Sequence, residues 1–299
     1  MTYSSGGLIQ ATDYNTFATN TNSTWNNYYG QTAVGSVATG GTVTAAQWAT
    51  LASTVTNAYI HQLGSNPSVA SPSAGQTIGI ISNLSTAISS IQTYKYYSYA
   101  FGTQTSTATA APASGSGSSA WSRTWTQSIN FASAAARNYY FWCGGVVFIV
   151  FGKSSTGTTN DPTWNALCAA CSQISFTSDS STKNIAGAGY QGTNKQGGSG
   201  SPAVLATTIG YNQLTGSNQQ IFVQYSSTYP YTGAYIAVYA ALVGNNVQFQ
   251  TVWNQPAASY AFEDVSISAG GTTYIYNTPP EQTYITNTWG SPSLSSAVA

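Results

Sequence analysis

Only six basic and six acidic side chains occur in 299 residues, and that scarcity of charge constrains the chain more than any other feature. An ordinary soluble domain carries roughly 25% charged residues, against 4% here. Disordered chains are poor in apolar groups, whereas this one is 42% hydrophobic and 13% aromatic, so a packed core is expected. Its polarity has to come from Ser, Thr, Asn, Gln and Tyr, which hydrogen-bond without titrating near neutrality. A net charge of zero also removes the self-repulsion that keeps free proteins apart. Association is therefore favoured by default, which a permanent assembly can accept.

No apolar run reaches the roughly 18 residues of a membrane span, and the best, 146–151, has strand length. Residues 1–8 have no basic stretch ahead of an apolar one, so no secretory signal is expected. Lys95, Arg123, Arg137, Lys153, Lys183 and Lys195 are spread through the middle of the chain. Nucleic-acid binding wants such residues clustered. Neither nucleic acid nor membrane insertion is expected.

The pattern changes along the chain. Residues 1–100 read as a helical attachment and coiled-coil region. One helix is expected after a Thr12 cap, with Tyr14, Phe17, Thr21 and Trp25 on its apolar face. A second opens at Thr44-Ala45-Ala46-Gln47, which has capping-box form, and stops near Gly64. A third carries Ile81, Leu84, Ile88 and Ile91 at alternating spacings of three and four. That spacing suits a coiled-coil seam between chains, and equally a helix packed inside its own domain. Residues 101–120, nearly all Thr, Ser, Ala and Gly, read as a linker. Residues 121–299 read as a β-rich head, with strands at 121–131, 139–142, 146–151, 220–225, 235–243, 247–253 and 273–276 and one helix starting at Asp161-Pro162. The fold class is thus mixed: an N-terminal α-helical region followed by a C-terminal all-β, sandwich-like (jelly-roll-like) domain.

Catalytic groups are scarce. The carboxylates are Asp13, Asp161, Asp179, Glu263, Asp264 and Glu281. Asp161 is explained as a helix start, and the adjacent Glu263 and Asp264 would point to opposite faces of a strand. A paired-carboxylate polysaccharide depolymerase is therefore the weakest of the functional readings. His61 stands alone, and Cys143, Cys168 and Cys171 lack the further ligands of a zinc site, so buried core cysteines are expected. Gly187-Ala188-Gly189-Tyr190-Gln191-Gly192 has the letters of a dinucleotide fingerprint without a helix after it. No catalytic, metal or cofactor residue is expected. Tyr225, Tyr229 and Tyr231, set among small hydroxyl residues, are candidates for ligand or interface contact. Arg137, if desolvated, needs a partner, and Glu263 or Asp264 is the expected one.

Several segments together resemble a family of virion structural proteins of tailed bacteriophages, many from marine and cyanobacterial phages. They are Leu8-Ile9-Gln10-Ala11-Thr12-Asp13-Tyr14-Asn15, Gly30-Gln31, Thr44-Ala45-Ala46-Gln47-Trp48, His61-Gln62-Leu63-Gly64, Ala136-Arg137-Asn138-Tyr139-Tyr140-Phe141-Trp142-Cys143-Gly144-Gly145 and Thr283-Tyr284-Ile285-Thr286-Asn287-Thr288-Trp289-Gly290. Trp142-Cys143 departs from the smaller, more polar pair expected before Gly144-Gly145. The resemblance implies a non-enzymatic virion subunit assembled in the host cytoplasm, in a tail fibre, collar or capsid surface. It implies contacts to other virion proteins through the N-terminal region and selects a homotrimer, where the spacing of Ile81, Leu84, Ile88 and Ile91 leaves three strands and four open. A glycan-binding, receptor-recognition module in the head is the alternative, with a host surface glycan as partner.

Overall fold

The structure, a computed structural model, describes residues 10–71, 81–111, 117–154 and 157–298. Leu8 and Ile9 of the first motif lie outside the described residues. Three helices come first, α1 (Ala11–Trp25), α2 (Ala45–Leu63) and α3 (Ile81–Thr93). α2 starts and stops where its residues dictate. Thr44 Oγ1 accepts from the Gln47 N–H at 3.2 Å while Gln47 Oε1 accepts from the Thr44 N–H at 2.9 Å, and Gly64 ends the helix at φ 70°. α1 begins two residues before the start that a Thr12 cap implies. Gln10 takes the cap position, and the Asp13 carboxylate accepts from its N–H at 3.4 Å.

The proposed inter-chain seam is corrected by where α3 packs. Leu84 and Ile88 are buried among Tyr14, Phe17, Trp48, Leu51 and Val55 of the same chain, and Ile91 sits in the larger core beside Tyr29 and Ala58. The Ile81 side chain lies outside the described residues. A 13-residue helix is too short to persist alone. Here α1 and α2 already cover its apolar stripe, so Leu84, Ile88 and Ile91 have no surface left to offer another chain. Amides do the work that charges do elsewhere: Asn15 and Asn22 each pair with both the N–H and the C=O of one residue, Val37 and Val34, at 2.8–2.9 Å. The 31–37 connection is thereby held against α1.

The remainder alternates strands with two helices: β1 (Thr105–Ala111), β2 (Trp121–Asn130), α4 (Ala134–Trp142), β3 (Val146–Lys153), α5 (Asp161–Cys171) and β4 (Gln173–Phe176). Then come β5 (Lys183–Ile185), β6 (Ala188–Tyr190), β7 (Thr193–Gln196), β8 (Val204–Leu205), β9 (Gln219–Tyr225), β10 (Tyr235–Val243), β11 (Asn246–Gln255), β12 (Gly271–Thr278) and β13 (Ser293–Val298). Two large antiparallel sheets result, one in the order β1-β12-β3-β4-β7 and one in the order β13-β2-β11-β10-β9-β8, beside the two-stranded β5-β6 hairpin. The two large sheets pack face to face. Phe151 stacks on Phe222 and Phe176 meets Phe249 edge-on across the interface, at ring distances of 6.4 and 5.2 Å. α5 closes one end of this core, with Trp164 stacked on Trp253 at 5.0 Å.

Two further expectations change. The segment 101–120, read as a linker, contributes β1, an edge strand paired with β12 from Gly271 to Asn277. Its threonines at 105, 107 and 109 suit extended backbone, and ladder bonds to β12 supply what its small side chains cannot. Residues 139–142, read as a strand from their aromatic content, form the end of α4 instead. Ser133 Oγ accepts from the Ala136 N–H at 3.1 Å, and a run of three alanines then favours the helix. The helical region and the β body share one core, since Tyr29, Ala58 and Ile91 cluster with Phe141, Val147 and Ile149.

Candidate functional site

β9 carries Gln224 and Tyr225 out of the six-stranded sheet into the connection to β10, which begins with Ser226, Ser227 and Thr228. Opposite lie the 199–201 turn and one face of α5, with Ala166, Leu167 and Ala170. Together they enclose a cleft of about 220 Å³ without a charged side chain in its lining. The turn is held rigidly: Lys195 Nζ donates to the carbonyls of Ser199 and Gly200 at 2.7 and 2.9 Å, and Gln224 Nε2 donates to Ser199 O at 2.9 Å. Gly197, Gly198 and Gly200 all have positive φ there. At Gly198 a Cβ would lie 2.1 Å from the Ala170 carbonyl, so only glycine lets the turn close on α5. Gln224 Oε1 is buried and has no hydrogen-bond partner among the described residues.

The three candidate tyrosines separate. Tyr225 is 48% exposed at the cleft and Tyr229 69% exposed, whereas Tyr231 is 8% exposed with its hydroxyl donating to Asp264 O at 3.1 Å. Tyr231 is therefore a packing residue. Tyr229 instead joins Tyr260 and Phe262, which the sequence reading did not single out. The rings of Tyr260 and Phe262 stack at 5.2 Å, Tyr229 lies 6.1 Å from Tyr260, and Phe262 is 71% exposed. Glu263 and Asp264 shape this platform. Glu263 accepts from the backbone N–H groups of Ser259 and Tyr260, and Asp264 Oδ1 accepts from Ser266 N at 2.9 Å.

The expected ion pair with Arg137 is thus not formed. Arg137 donates to the Tyr211 hydroxyl at 2.8 Å and to Gly244 O at 2.6 Å, and its guanidinium lies 5.6 Å from the Tyr211 ring centre. A weakly hydrated planar cation is satisfied by neutral acceptors and an aromatic face, so no carboxylate is required.

Each of the six carboxylates accepts a backbone N–H: Asp13 from Gln10, Asp161 from Thr158 and Ser268, Asp179 from Ser181, Glu263 from Tyr260, Asp264 from Ser266 and Glu281 from Thr283. Asp161 also pairs with Lys153, Asp179 with Lys183 and Glu281 with His61. A second, wider cleft of about 560 Å³, lined by Trp25, Gln31, Asn57 and residues 282–287, likewise has no charged side chain in its lining. The glycine-rich 187–192 stretch runs from the turn of the β5–β6 hairpin through β6 to the start of β7, so a strand stands where a dinucleotide site needs a helix. Cys143, Cys168 and Cys171 are buried free thiols. Burial pushes Cys143 and Cys168 well up and Cys171 to about 12. Since the thiolate is the reactive form, an aromatic disulfide reagent at pH 8 should react with none of the three in the native protein and with all of them in guanidinium.

Compared with protein-family models, with curated proteins and with solved structures, the chain gives no match.

Proposed function

We propose that the chain is a structural, non-enzymatic subunit of a tailed-bacteriophage virion, one copy of a homotrimeric fibre or appendage with a jelly-roll-like head. The commitment of every carboxylate to a backbone N–H carries the non-enzymatic part. Acid–base chemistry needs a carboxyl or imidazole that can reach substrate, and neither cleft has one in its lining. The virion part rests on the resembling segments, four of which share a common task. Gln31 exchanges bonds of 2.7 and 3.1 Å with the Thr286 backbone, Thr288 Oγ1 donates to Tyr29 O at 2.6 Å, and His61 Nε2 lies 3.0 Å from Cys143 O. Four motifs distant in sequence thus fasten the helices to the β body.

Subunit contacts in this reading fall to the outer face of the six-stranded sheet, where register aligns Thr126, Gln250 and Tyr239 in one uncharged row. The native mass should be three times the 31.2 kDa chain. Thr126→Lys with Gln250→Lys places like charges across that contact and should dissociate the trimer while leaving the fold's circular dichroism unchanged. Immunogold labelling of purified particles should mark one discrete virion position. Absence from purified virions would reject the virion reading, and a monomer at micromolar concentration would reject the trimer.

A further inference from the structure

We propose that the cleft between α5, the 197–201 turn and the β9–β10 connection is a binding site for a neutral saccharide, with one sugar ring in the cleft and the next against Tyr229, Tyr260 and Phe262. A pyranose has apolar C–H faces and a rim of hydroxyls that both donate and accept. Its complement is a small cleft with an aliphatic floor, uncharged polar walls and an aromatic ring at the mouth. The lining has that make-up: Ala166, Leu167 and Ala170 on one side, Ser199, Ser201, Ser227 and Thr228 around the rim, and Tyr225 at the edge.

Three observations sharpen the assignment. Gln224, 3% exposed and part of the lining, commits its Nε2 to Ser199 O and so stands as a fixed, uncharged polar wall between β9 and the turn. The walls are also set before any ligand arrives, because Lys195 fixes the turn through two carbonyls and Ser226 Oγ accepts from Thr228 N at 3.1 Å. Pre-formed walls lower the ordering cost of binding. Finally, Tyr229 is the residue directly after Thr228 of the lining, so the exposed platform begins where the cleft ends. Acidic sugars and phosphates find no cation in the lining, and Lys195 already gives two bonds to the turn.

The site rests on the cleft alone and not on the virion reading, so the two can fail separately. The test is saturation-transfer NMR on the full chain, with neutral mono- and oligosaccharides of glucose, galactose, mannose and N-acetylhexosamines. Sialylated and sulfated oligosaccharides serve as controls. At least one neutral sugar should show saturable transfer. Ala166→Trp, at an exposed helical position where the fold is spared, should weaken that binding by about tenfold or more by filling the cleft. Gln224→Leu should weaken it as well. Tyr229→Ala with Phe262→Ala should weaken oligosaccharides while sparing the monosaccharide. No transfer to any neutral sugar, undiminished binding by Ala166→Trp, or a preference for the acidic controls would overturn the proposal.

Discussion

Asp161→Ala is expected to destabilise the protein by about 3–5 kcal/mol at neutral pH, because it strips a buried cation of its counter-ion. Asp161 and the Lys153 side chain are both fully buried, with Oδ1 3.0 Å from Nζ. The same carboxylate accepts from Thr158 N at 2.9 Å, Ser268 N at 3.0 Å and Ser268 Oγ at 2.5 Å. It therefore ties the first turn of α5 to β3 and to the strand-free segment before β12. Burial by itself would raise this carboxyl, but the bonds from Ser268, Lys153 and Thr158 outweigh it and hold the group at about 2, against an ordinary 3.8. A depressed carboxyl stabilises the fold in full above its unfolded value and loses that contribution as pH falls through its folded value. The Asp161-dependent part of stability should accordingly be complete above about pH 4 and fade between 3.8 and about 2. Urea unfolding at pH 7 and across that interval measures both. A loss below about 1 kcal/mol, the range of exposed pairs, would show that the pair is solvated.

How much of this was legible depends on whether a residue's reason is local. α2 was readable because Thr44, Gln47 and Gly64 are its own start and stop signals. β11 was readable because the buried Val247, Phe249, Thr251 and Trp253 alternate with half-buried residues that are, except for Val252, Asn and Gln. β1 and β13 were missed because their Thr, Ser and Ala strings owe their order to the backbones of β12 and β2, which no local pattern reveals. α3 shows the complementary limit. Spacing establishes that Leu84, Ile88 and Ile91 are buried together, and is silent on whether the covering surface belongs to the same chain. Arg137 was rightly expected to need partners, but Tyr211 and Gly244 are neutral and lie 74 and 107 positions away. The cleft is similar: Tyr225 and Tyr229 were visible as candidates for ligand or interface contact, whereas Gln224 meets Ser199 only because β9 and the 197–201 turn converge.

Glu281→Ala should loosen the helices from the β body and cost about 1–3 kcal/mol, because the buried His61 ring loses its partner while the exposed Thr283 N–H can turn to water. His61, at the end of α2, is fully buried, with Nδ1 2.9 Å from Glu281 Oε1 and Nε2 3.0 Å from Cys143 O at the end of α4. The carbonyl can only accept, so Nε2 carries a proton. The other bond is complete with one proton shared between Nδ1 and the carboxyl. Glu281 Oε2 accepts from Thr283 N at 2.5 Å, which fixes the chain between β12 and β13. Burial would raise the Glu281 carboxyl, yet the His61 and Thr283 bonds outweigh it and hold the group below its ordinary 4.5. Its contribution is then complete above about pH 4.5 and is lost as pH falls through the lower folded value. Because this contact spans 220 residues and Tyr29, Ala58 and Ile91 share the β body's core, the helices cannot melt first without opening that core. Calorimetry of the intact protein should show one cooperative transition, and a chain beginning at 121, which lacks β1 and those three core residues, should not hold the native fold. In a double-mutant cycle His61→Ala and Glu281→Ala should couple. Additive effects, or two separate transitions, would mean that the helices and the β body are joined elsewhere.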